Sequence, residues 1–236
     1  MTVDRTSIND QRGSEWQKWD LHLHSPKTFL NNQFSGASED DFVEKVVSQG
    51  IKVVGLTNYF RFDSGEIDGT NSLREKLESK GVTVFPSIEF RLEQKNKDNE
   101  YINIHVIFSD KLDIAKIDGF LGRLKTFDEK YCKDLTPSDM SSAVVSKDTL
   151  FKALKDDSQL KQYKDYIVVG CPNGYGGFRP YKDDDGRGNA VAIALDRQSN
   201  AFFSSAENPE SDKAFYLNHV KDPNSRTSCL FSGERS

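Results

Sequence analysis

Apolar and β-branched residues recur in short runs of strand length: Trp19 to His24, Ile51 to Thr57, Val82 to Glu89, Ile102 to Phe108, Tyr166 to Cys171, Ala201 to Ser205 and Ser228 to Phe231. These seven runs predict seven strands. Helical spacing appears between several of them. Ser38 followed by Asp41 reads as a capping pair ahead of Phe42, Val46 and Val47, with Gly50 as the stop. Thr70 to Gly81 carries Leu73 and Leu77. Lys111 to Leu124 places Ile114, Ile117 and Leu121 on one face, and Ser146 to Asp157 does the same with Leu150, Phe151 and Leu154. Strands alternating with helices predict an α/β architecture.

One connection breaks the alternation. Arg91 to Glu100 (RLEQKNKDNE) is polar and too short to hold a crossover helix, so the strands on either side are expected to form a hairpin. Asp128 to Val145 is only weakly periodic and reads as an excursion or lid. With no internal repeat, low-complexity tract or domain boundary, residues 1–236 are expected to form a single domain.

Composition narrows the function classes. With 36% hydrophobic and 29% charged residues the chain is neither disordered nor collagenous, and 236 residues can bury a sizeable core. A net charge of −5 argues against whole-surface attraction to nucleic acid or anionic lipid, so any phosphate contact must be local or metal-mediated. No apolar run is long enough for a membrane span, and the opening MTVDRTSINDQRGSEW lacks a signal-peptide core, so a cytoplasmic location without membrane association is expected. Cys132, Cys171 and Cys229 lie far apart and form neither a disulfide framework nor a CxxC zinc knuckle.

The candidate chemistry begins at His22-Leu23-His24, at the end of the first strand run. Residues i and i+2 on a strand share a face, so both imidazoles can converge on one cation. Asp20 would share that face and could orient an imidazole, or make an ordinary structural hydrogen bond. Glu89 and His105 lie in the two runs of the expected hairpin and would be neighbours. Taken singly, Glu89 reads as a solvated carboxylate and His105 as a hydrogen-bonded core residue. Taken with the paired histidines, they point to a divalent metal site. His219 has no such neighbours.

The segment GSEWQKWDLHLHSP, followed in order by VVGLTNYF, VFPSIEF and INIHVIF, resembles the PHP (polymerase and histidinol phosphatase) superfamily, and the match runs through Tyr166 to Pro172 to the terminal LFSGERS. The resemblance implies a distorted seven-stranded (β/α) barrel with its metal site at the carboxyl ends of the strands, and hydrolysis of phosphate esters by zinc, manganese or iron. Carried over position by position, His22 and His24 match the first motif, Glu89 the bridging carboxylate and His105 the next histidine. Cys171 stands where the family often has histidine, and Glu234 falls in its terminal motif. Three family histidine positions are absent here: one falls around Leu30, the Thr-Asp-His motif reads Thr57-Asn58-Tyr59, and the terminal Asp-x-His reads Glu234-Arg235-Ser236. The implied centre is therefore reduced to one or two ions bridged by Glu89: one held by His22, His24 and Glu234, the other by His105 and Cys171. Tyr59 could contact substrate or simply fill space.

Gly170 to Gly177 follows a strand but lacks the GK[ST] ending of a P-loop, which occurs nowhere in the chain, so it reads as a flexible rim over the site. Arg179, Tyr181, Lys182 and Arg187 interleave basic and aromatic character there. They suit single-stranded nucleic acid or a nucleotide, although Asp183 to Asp185 follow at once and a solvated loop fits equally. The opening stretch and LNNQF also resemble PHP modules at the N-terminus of prokaryotic ATPases related to SMC and AAA proteins, several associated with phage defence. That implies an ATPase partner. The functional expectation is a nuclease-like metal-dependent phosphoesterase; the alternative is a catalytically degenerate PHP module with a regulatory or interaction role.

Overall fold

The computed structural model describes residues 17–30, 32–34, 36–172, 174–178, 186–204 and 229–232. Seven strands, β1 (Lys18–His24), β2 (Ile51–Tyr59), β3 (Thr83–Lys95), β4 (Tyr101–Phe108), β5 (Tyr166–Gly170), β6 (Ala201–Ser204) and β7 (Cys229–Ser232), lie side by side in chain order. Only β4 runs against its neighbours. The helices are α1 (Glu39–Ser48), α2 (Leu73–Ser79), α3 (Ile114–Leu121), α4 (Pro137–Met140), α5 (Lys147–Asp156) and α6 (Gly186–Gln198).

Helix α1 shows how the sequence fixes an element locally. Ser38 Oγ accepts the Asp41 N–H at 3.1 Å, and Asp41 Oδ2 accepts the Ser38 N–H at 3.0 Å, a reciprocal cap. Ten residues are too few for a stable isolated helix, so burial of Phe42, Val43 and Val46 against β1 to β3, about 1.5–3 kcal/mol per large apolar side chain, must hold it. The larger cluster on the same outer face joins β3 to β6 with α3, α5 and α6.

The inner face is concave. Leu21 and Val53 from β1 and β2 pack in one cluster with Ala201 and Phe203 from β6, so the sheet curls far enough for its two ends to share a lining. It does not close. Among the described residues β1 pairs only with β2 and β7 only with β6, which corrects the expected seven-stranded barrel to an open, curled mixed sheet. Closure requires ladder hydrogen bonds between the first and last strands, and strand count alone does not supply them.

The β3–β4 hairpin forms with longer arms than its apolar runs indicate, because β3 continues to Lys95. The 128–145 excursion is tied into the fold. Val145 bridges Leu92, donating its N–H to Arg91 O at 2.9 Å and accepting the Glu93 N–H at 3.0 Å, while Cys132, Leu135, Met140 and Ala143 are buried in the outer core. The sequence reading assigns no helix at α6. Its first turn carries Gly186 and Gly188, which mask a helical pairing of Ala192 with Leu195 toward the core.

Candidate metal centre

A bulge in β1 sets the position of the histidines. Asp20 pairs with Val54 and Leu23 with Leu56, so Leu21 and His22 together face the single residue Gly55. Gly55 is required there, because a Cβ would stand 2.1 Å from the Leu21 carbonyl oxygen. Of the two roles open to Asp20, the bulge selects the structural hydrogen bond. Asp20 Oδ1 accepts the backbone N–H of His22 at 3.1 Å, so it stabilises the bulge and not an imidazole.

Beyond the bulge, His22 and His24 both reach Glu89. The Nε2 atoms of His22, His105 and His24 lie 3.3, 3.3 and 3.4 Å from Glu89 Oε2, and those of His22 and His105 are 3.1 Å apart. Glu89 and His105 are direct cross-strand partners. The centre thus sits at the carboxyl ends of β1 and β2 but midway along β3 and β4, since the hairpin arms run on beyond it. His22 is the most open ring, its side chain 34% exposed against 16% for His24 and 0% for His105.

Aromatic rings wall the cluster. Phe203 stacks on His22 at 5.2 Å and meets His105 edge-on at 5.0 Å, while Tyr59 stacks on His24 at 5.0 Å. Phe60, immediately after Tyr59, holds φ at 59°, which turns the chain off β2 at this point; burial of its ring offsets the strain of about 1–3 kcal/mol. Asn58 faces outward. With Ser25 Oγ and the Asp63 N–H it hydrogen-bonds Glu66, a buried carboxylate whose pKa burial raises against those bonds. This polar knot anchors the residue that follows His24.

His22, Glu89 and His105 form a cluster that could hold a metal ion, their donor atoms all within 4.8 Å of one another. The spacing fits. Donors roughly 2.0–2.1 Å from a tetrahedral zinc ion lie about 3.3–3.4 Å apart. One proton shared along an edge satisfies a single side of the His22–Glu89–His105 triangle, whereas a cation satisfies all three donors. Among the described residues His24 Nδ1 is buried without a hydrogen-bond partner.

Burial, and then the neighbouring His105, lower the His22 pKa from 6.5 to about 4, so this ring is neutral and ready to ligate at neutral pH. Burial alone would raise Glu89, but the surrounding imidazoles hold it well below the usual carboxylate range. Both shifts have the same consequence for stability. Between pH 6.5 and about 4 the unfolded chain takes up a proton at His22 that the folded chain does not, and protonation of Glu89 adds to this at still lower pH. Urea midpoints of the metal-free protein are therefore expected to fall steadily as pH drops through that window; a flat profile would contradict the assignment.

Cys171 Sγ lies 3.4 Å from His105 Nδ1, the nitrogen on the far side of the ring from Glu89. It thus stands behind His105 and outside the compact donor group, suited to accept an Nδ1–H and leave Nε2 as the donor. The adjoining loop is tied down where a flexible rim is expected from its glycines: Gly176 donates to Glu100 Oε2 at 2.9 Å and accepts the Asn103 N–H at 3.0 Å. Leu30 packs against the outer core. Glu234, Arg179, Tyr181, Lys182 and His219 lie outside the described residues; Arg187 falls at the start of α6, with its side chain outside the description.

The sequence reading missed Phe203 as a wall and Arg91 with Asn103 as near neighbours of the centre. Arg91 stands two residues beyond Glu89, so strand alternation carries the signal for it. No helix among the described residues is long and apolar enough to cross a membrane. Comparison with protein-family models and with curated proteins returned no match to this chain.

Proposed function

We propose that this protein is a metal-dependent phosphoric ester hydrolase acting on phosphodiesters, with nucleic acid or a nucleotide as substrate. The observation that carries the reading is the convergence of three imidazole Nε2 atoms on the single buried oxygen of Glu89. The ordered PHP-like motifs agree with it. His22, Glu89 and His105, joined by His24, would hold one or two ions, with zinc or manganese the first candidates and iron the third.

Such a cation, when bound, lowers the pKa of a water and neutralises phosphoryl charge. The chain supplies the remainder. Glu89 stays ionised, His22 stays neutral, Phe203 and Tyr59 each cover a face of an imidazole, and Cys171 fixes which nitrogen of His105 faces inward. Control by an SMC- or AAA-like ATPase partner in phage defence is carried into the proposal by the motif resemblance alone.

The test is elemental analysis of the purified protein, then hydrolysis of a chromogenic phosphodiester and of single-stranded DNA or RNA with added manganese or zinc. Bound metal and turnover that His22→Ala reduces at least tenfold are expected. No metal and no His22-dependent turnover would sink the reading. The alternative, a degenerate module with a regulatory or interaction role, draws on three contacts: Leu30 packs against the core, Asn58 is engaged with Glu66 and Tyr59 stacks on His24. A folded, metal-binding but inactive protein would favour it.

A further inference from the structure

We propose that Arg91 binds a phosphoryl oxygen of the substrate beside the His22–Glu89–His105 centre, with Asn103 forming the polar floor of that subsite. The proposal rests on the metal-centre reading and adds an anion-recognition residue to it.

Placement is the first argument. Arg91 follows Glu89 by two residues on the same extended strand, about 6.8 Å along β3, and alternation directs both side chains to the concave face. Asn103 pairs with Arg91 across the hairpin as His105 pairs with Glu89, so the two pairs form successive same-face rungs.

Unmet polar capacity is the second. Among the described residues, Arg91 Nε and Asn103 Oδ1 are both buried without a hydrogen-bond partner, a costly state for either atom. The guanidinium is held at one corner, where Nη1 donates to Ser141 O at 3.1 Å, and no carboxylate among the described residues forms an ion pair with it. A partly buried arginine anchored by a carbonyl, with no described carboxylate paired to its charge and no described acceptor on its Nε–H, is arranged for an oxyanion from outside the chain.

Charge is the third. Glu89 offsets only one of the two charges of a divalent cation, so metal binding would leave the cluster positive, one rung from a fixed positive guanidinium. Their mutual repulsion is relieved when an anion lies between them. Metal and phosphate should therefore bind cooperatively.

The experiment is calorimetric titration of inorganic phosphate into the full chain, with and without manganese, for wild type and Arg91→Gln, with manganese stoichiometry measured in parallel. Wild type is expected to bind phosphate more tightly with manganese, and Arg91→Gln to weaken phosphate at least tenfold while keeping its manganese. Unchanged phosphate affinity in a manganese-loaded variant overturns the proposal. If wild type takes up no manganese, the metal reading fails separately, and phosphate binding to the metal-free chain decides Arg91: loss in the variant supports it, and no binding to wild type overturns it. Should Arg91→Gln not fold, phenylglyoxal labelling of wild type decides; phosphate is expected to slow modification of Arg91 several-fold, and equal labelling with and without phosphate overturns the assignment.

Discussion

Glu89→Gln is expected to weaken metal binding by about 100-fold or more and to reduce phosphodiester turnover to background, with the fold retained. Replacing a residue that merely supports a metal ligand already costs about 10–100-fold in affinity, and Glu89 is the shared contact of all three imidazoles. Glutamine keeps the shape but removes the only negative charge among the described residues of the cluster, and its amide can place N–H groups against the histidine nitrogens. Metal titration, turnover and circular dichroism together check the result. Wild-type metal affinity in a folded Glu89→Gln variant would remove Glu89 from the centre. The same variant should also lose the acid sensitivity below the His22 range, because the depressed carboxylate pKa is gone.

Gly55→Ala is the second large effect, and it acts through the backbone. The added Cβ would lie 2.1, 2.6 and 2.9 Å from the carbonyl oxygen, carbonyl carbon and Cα of Leu21. No rotamer change relieves a clash with main chain, so β1 must move away from β2, at a cost of about 3 kcal/mol or more. Leu21 immediately precedes His22, so metal affinity should fall together with stability. Urea denaturation and metal titration measure both. Gly119→Ala in α3 is the control: a Cβ there meets only the end of the Arg123 side chain at 3.4 Å, and the helix should be unchanged or slightly stabilised. A Gly55→Ala protein as stable as wild type would show that the bulge is not needed to place the histidines.

The contrast between His22 and Asp20 shows what local pattern can convey about this protein. Alternation correctly places His22 and His24 on one face, since both reach Glu89, and the short polar connection correctly makes Glu89 and His105 cross-strand neighbours. The same rule applied to Asp20 fails, because the bulge shifts the parity between it and His22. Nothing in Trp19 to His24 marks a bulge; its signal is Gly55 on the neighbouring strand, a dependence across 34 positions that periodicity cannot register. Sheet closure is equally non-local. Seven apolar runs and a family likeness lead to a barrel, whereas the absence of a ladder between β1 and β7 among the described residues is a property of the whole arrangement. Cys171 is placed next to the right histidine, but which nitrogen it meets depends on ring orientation, which spacing does not encode.

Where β2 stops at Tyr59, β3 runs on to Lys95, and the flank of a strand that outruns its neighbour is a row of amide groups able to recruit a strand from another molecule unless it is covered. Val145 occupies part of that flank through its two main-chain bonds to Arg91 and Glu93. The 128–145 segment thus covers a strand edge as well as filling core, and trimming it as a dispensable surface insertion would leave that edge open to pairing with another chain.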